Sequence, residues 1–150
     1  MADNINSILN GLVETSKDGE KGFRSAAENT KSSELKSVFL KRAEDCAKGA
    51  AELQRIVASR GGEPEQSGSV AGAIHRGWIN LKTALTSDDE LAILEECERG
   101  EDVAKAAYRD AVDEGNLPAD IRSALQRQFE GVKKNHDQIR DLRDRYKSKS

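Results

Sequence analysis

Proline is nearly missing from this chain, at 2 in 150 residues, and aromatic residues make up only 4%. No stretch alternates apolar and polar residues for long. These shortages exclude a strand-rich core and predict an all-helical protein. Cysteine and histidine are as scarce, at 2 each. Cys46 and Cys97 fall on different apolar stripes and form no C-x-x-C pair, so each is expected to be a small buried hydrophobe. Apolar runs fall short of the roughly 18 residues a membrane span needs. The first residues, MADNINSILN, carry neither a basic region nor an apolar core, so no signal peptide and a cytoplasmic location are expected. Charge of one sign is lacking too. The 24 basic and 27 acidic residues are interspersed and net only -3, which gives no long-range pull on nucleic acid or an anionic membrane. Phosphate loops, dinucleotide fingerprints and nucleophile elbows do not occur.

What is present is helical periodicity. Apolar residues are 36% and charged residues 34%, the balance of a folded protein with a charged surface. We expect one domain over residues 1–150, an all-α four-helix bundle with a long crossover carrying a short fifth helix. The first helix runs from Asp3 or Asn4 to about Glu28, with Ile5, Ile8, Leu9, Leu12, Ser16, Gly19, Phe23, Ala26 and Ala27 inward. Ser16 and Gly19 thin this stripe at its middle. A turn at Thr30–Ser33 forces the second helix, about Glu34 to Arg60, to run antiparallel. Its stripe is Leu35, Phe39, Ala43, Cys46, Ala50, Leu53 and Val57, and Gly61-Gly62 supplies the C-cap. The crossover, residues 61–86, opens on a polar linker and continues as a helix from about Val70 to Leu85, which Trp78 anchors to the bundle. It is long enough to carry the chain the length of the bundle, so the second and third long helices are parallel. The third runs from Ser87 to Glu114. Ser87 and Glu90 make a capping box, and Ile93, Leu94, Cys97, Ala104, Tyr108, Ala111 and Val112 form the stripe. The fourth spans about Ala119 to Tyr146, and residues 147–150 are a frayed tail.

Glu101 falls on the buried stripe of the third long helix, where an acid costs free energy unless it is paired, hydrogen-bonded or metal-bound. Antiparallel register places Glu101 near Lys133 and Glu98 near His136. Glu98 and Glu101, three apart, share one side of their helix. Glu20, beside the thin patch of the first helix, comes to the same depth. Glu20, Glu98, Glu101 and His136 are therefore candidate ligands for iron or manganese, for which helix-borne carboxylates and an imidazole are suitable donors. A complete paired site calls for Glu-x-x-His on two helices, and the chain has none. The competing expectation is a buried polar network, Glu101 bonded to Lys133, Tyr108 or His136, in which Glu101→Leu would be neutral or stabilising. His75 is expected on the surface.

Four segments resemble a known family: KDGEKGF (Lys17–Phe23), AAELQ (Ala50–Gln54), GGEPEQSGSVAGAIHRGW (Gly61–Trp78) and ILEECERGED (Ile93–Asp102). They are similar to a bacterial family of unknown function classed with ferritin-like four-helix bundles, domain of unknown function number 2383. The resemblance spans about Asn4 to Asp144 and implies a ferritin-like bundle. In the wide sense it implies metal ligands on helices, which here only Glu20, Glu98, Glu101 and His136 match.

The function expected first is a non-catalytic structural or stress-related interaction protein, a homodimer with a protein partner, its crossover helix the contact. Two alternatives stand beside it. One is a carboxylate- and histidine-bound iron or manganese protein with oxidase or iron-handling activity. The other is a bundle that binds a small apolar ligand near Ser16 and Gly19, where small residues leave room.

Overall fold

Ser32 starts the second helix by accepting a hydrogen bond on its side chain from the Leu35 amide, 3.1 Å away. That cap closes a tight turn and sets the first two helices side by side. A computed structural model describes residues 2–66, 77–86 and 89–149, with side chains from residue 4 onward. Its helices are α1 (Ala2–Asn29), α2 (Ser33–Ser59), α3 (Leu81–Thr86), α4 (Glu90–Val112) and α5 (Ala119–Lys149). The last helix runs past the expected end at Tyr146. Ser87, Val70, Ile74 and His75 lie outside the described residues. The cap observed on α4 is Asp89, bonded to the Leu91 amide. The Glu90 carboxylate holds Thr30 and the Lys31 amide at the α1–α2 turn.

α2 ends in a Schellman arrangement. Gly61 takes φ +79°, its amide bonds Ala58 O, and the Gly62 amide reaches back to Val57 O. α4 ends at the Asp113–Asn116 turn, where the Arg122 guanidinium from α5 binds the carbonyls of Val112 and Glu114. A cation on otherwise unpaired helix-end carbonyls also suits the negative end of the helix dipole.

Pairing follows from contacts between distant residues. α1 packs against α2 in one hairpin and α4 against α5 in the other. Ser16 meets Tyr108, while Thr30 meets Glu90, so α1 and α4 are antiparallel. α2 and α4 are then parallel, which only a long connection permits. The connection is tied down at both ends. Asn10 bonds the backbone of Glu63 and Glu65, and Gln54 bonds Glu65 O. Further on, Trp78 is 6% exposed, and the buried Glu96 carboxylate holds the Asn80 amide and Arg99. This is the ferritin-like four-helix bundle with one long crossover and a short fifth helix.

The apolar core is divided in two. One cluster, from Ile5, Leu9 and Val13 to Leu53, Val57 and Leu125, fills the end near the α4–α5 turn. The other, from Phe23, Leu35 and Phe39 to Ile93, Leu94 and Ile139, fills the opposite end. Between them lies a layer of buried polar groups.

Candidate functional site at mid-bundle

The centre of that layer is an ion pair. Arg42 of α2 donates through Nε to Glu101 Oε2 at 3.0 Å and through Nη2 to Oε1 at 2.9 Å. Both side chains are removed from solvent, 8% and 2% exposed. Two parallel charge-assisted bonds are the strongest geometry open to these groups. Burial works against the charge on Arg42, but Cys46 and Glu101 beside it more than offset that and raise its pKa. Desolvation pushes the Glu101 carboxyl upward, and Arg42 pulls it part of the way back. The guanidinium also lies 5.9 Å from the centre of the Phe23 ring. Sequence periodicity missed Arg42. The available signal was its position three after Phe39 and four before Cys46, squarely on the α2 stripe.

Glu101 therefore has a partner other than those expected. Lys133 instead bonds Glu130 at 2.7 Å and lies over Phe129. Tyr108 bonds Gln128 Oε1 at 2.7 Å and Ser16 at 3.2 Å. His136 Nε2 meets Asp102 at 2.6 Å, and its Nδ1 lies 3.3 Å from Asp137.

Beside the ion pair is a cavity of about 140 Å³, reached from Ser16 and Gly19 on α1, Cys46 and Gly49 on α2, Gly100 and Ala104 on α4, and Gly131 and Val132 on α5. The space expected next to Ser16 and Gly19 exists. Its wall is not simply apolar, because Arg42, Glu101, Tyr108 and Asn135 also face it.

Burial raises the Cys46 thiol from 9.0 to about 12, and raises the Tyr108 hydroxyl from 10.0 to about 12. Cys97 is pushed up as well, by the same desolvation. All three hold their protons in the folded state after the unfolded chain has begun to lose them. Stability conferred by these groups is thus complete below pH 9 and falls between about pH 9 and 12. The slope is on the order of 1.4 kcal/mol per pH unit for each group that is ionised only in the unfolded chain. Chemical denaturation at stepped pH should show the midpoint falling through that window. The Cys46→Ala variant should flatten the fall, and an unchanged slope would contradict the assignment.

The expected constellation is only partly assembled. The ligand atoms of Glu98, Asp102 and His136 lie within 4.8 Å of one another on the α4–α5 face. Asp102 was missed, although its i,i+4 spacing from Glu98 was visible. Glu98 is bonded to Arg143 at 2.6 Å. Glu101 belongs to the ion pair. Glu20 does not join them: it stays on the α1 flank with Arg24 at 3.0 Å and Lys17 at 3.9 Å. The ferritin-like resemblance implies metal ligands inside the bundle, and the central donors do not suit such a group. Both oxygens of Glu101 are taken by a buried cation that would repel a second one.

Fold and site together define a ferritin-like bundle whose polar centre is an arginine–glutamate pair. The chain belongs to the family described as Domain of unknown function (DUF2383), whose pattern it matches over residues 4–114. Its fold is similar to that of a Dps1 mutant from Mycobacterium smegmatis, with a TM-score of 0.77 and 14% identity, covering 94% of this chain and 95% of that one. No curated protein sequence matches it. Among the described residues no helix is long and apolar enough to cross a membrane.

Proposed function

We propose that the protein is a non-catalytic bundle that acts by assembly and protein contact in the cytoplasm, as a homodimer. The observation that supports this is the bidentate Arg42–Glu101 pair. It holds both Glu101 oxygens on a buried cation, so this acid at the bundle centre offers neither a free metal-ligand position nor a proton in transit. Trp78 is buried in its own chain, so the crossover contact expected of a dimer moves to its neighbour Ile79, which is 57% exposed. A second reading, one iron or manganese ion held on the outer face, is favoured by the closeness of Glu98, Asp102 and His136.

One preparation tests both. The protein is purified without chelator, its metals are counted, and its mass is measured by sedimentation at tens of micromolar. The expected result is a dimer that is weakened by Ile79→Asp, with far less than stoichiometric metal. A monomer at that concentration overturns the assembly reading. Near-stoichiometric iron or manganese that is lost in His136→Ala establishes the metal reading in its place.

A further inference from the structure

The mid-bundle cavity has the size and chemistry of a ligand site, and its unpaired groups say for what. Glu101 occupies the Nε–Nη2 edge of the Arg42 guanidinium. Nη1 lies on the other side, and among the described residues no acceptor reaches it. Arg42 is itself only 7% exposed and forms part of the cavity wall. A buried donor without a partner costs about 1–3 kcal/mol, so something in the cavity should accept from it. Asn135, also on the wall, donates through Nδ2 to Gly131 O at 2.9 Å. That fixes the amide orientation and leaves Oδ1 with no donor among the described residues. The other polar groups are occupied with each other: Tyr108 bonds Ser16 and Gln128. Thr15 donates to Gly11 O at 3.1 Å and Asp45 accepts from Lys41 at 3.1 Å, and the remaining wall is Trp78, Val132, Ala104, Cys46 and glycine backbone.

Water fills such a space poorly. About 140 Å³ would take several waters, each wanting two to four partners, and the wall offers two unpaired edges. A single compact molecule with one acceptor and one donor matches better. A cavity of similar volume elsewhere holds benzene, so about six non-hydrogen atoms is the right size. Charge is excluded by balance: Arg42 cancels Glu101, Lys41 answers Asp45 at the wall, and a further buried charge would be uncompensated.

We infer that the cavity binds a small neutral amide, its carbonyl accepting from Arg42 Nη1 and its N–H donating to Asn135 Oδ1. This goes beyond the assembly reading and does not depend on it. Gly19, Gly49, Gly131 and Ala104 keep the volume open by contributing little or no side chain of their own.

The test uses the full chain and three probes of about the same size: 2-pyrrolidinone, butyrate and benzene. Backbone and indole N–H shifts are followed by two-dimensional NMR. The expected result is saturable shifts at Trp78 and Tyr108 with 2-pyrrolidinone, and at least ten-fold weaker binding of butyrate and benzene. Ala104→Leu, which fills the cavity, should abolish the saturable shifts. Asn135→Leu, which removes only the acceptor, should weaken them at least ten-fold while the circular dichroism spectrum stays that of the wild type. Non-saturable shifts in the wild type would show that the cavity holds water alone, and equal shifts in Ala104→Leu would show that the probe binds elsewhere; either result overturns the proposal. Butyrate or benzene binding as well as 2-pyrrolidinone would overturn the amide assignment.

Discussion

Glu101→Leu is expected to destabilise the protein by about 3–5 kcal/mol, because it leaves the Arg42 guanidinium buried without its counter-charge. For a chain of this length that corresponds to a fall in Tm on the order of 10 °C. The double variant Arg42→Met/Glu101→Leu should recover to within about 1 kcal/mol of the wild type, or exceed it, since well-packed apolar replacements of both partners are often neutral or stabilising. The contrast between single and double variants isolates the pair from the general effect of a core change. This reverses the expectation for Glu101→Leu drawn from the sequence, which holds only for a partner that is exposed or uncharged. Equal losses in the single and double variants would mean that the two side chains are not coupled.

The second large effect is steric. The Trp78 indole lies flat against two glycines: a Cβ on Gly22 would sit 2.7 Å from the ring, and one on Gly100 would overlap it. The indole also meets the Phe23 ring edge-on at 5.4 Å between centroids. Gly100→Ala must therefore push the indole out of its slot. The expected loss is about 3 kcal/mol, at the upper end for overpacking and the lower end for deleting a buried tryptophan. Trp emission should shift to the red as the ring meets water. In a Trp78→Ala background the sign should reverse, because the methyl then enters free space and alanine gains about 1 kcal/mol over glycine in a helix interior. A Gly100→Ala protein with wild-type Tm and emission would show that the ring does not pack there.

The four long helices, their turns and their pairing were legible because they are local. The crossover helix expected through Trp78 is instead a turn at residues 77–80, with Gly77 at φ +105°, and helix begins only at Leu81. The α2 stripe from Leu35 to Val57 is buried at every expected position, and the Gly61-Gly62 stop is a Schellman motif written in two residues. The antiparallel hairpins follow from short turns, and the parallel α2 and α4 follow from a connection too long to be a turn. Glu101 was legible as a buried acid, and the thin patch at Ser16 and Gly19 as a space. What could not be read was which distant group answers each one. Arg42 is 59 positions from Glu101, and no spacing rule spans two hairpins. A long cationic side chain on a stripe looks like a flank, because its stem can lie inward while its head reaches water. Glu20 was misplaced for the converse reason. It is near the right depth but on the side of α1 where Lys17 and Arg24 are within reach. Glu96, wholly buried, escapes periodicity because its partners are a loop amide and its own i+3 neighbour, Arg99.

The polar layer has a consequence for how the four helices can slide. Apolar side chains of similar size tolerate a shift of one helical turn, about 5.4 Å, with repacking. The same shift of α2 along α4 would strand a guanidinium and a carboxylate in hydrocarbon. Axial alignment is thus decided halfway along the molecule. Either end is free to diverge in sequence so long as volume is kept, whereas a change at the waist has to be matched across the axis.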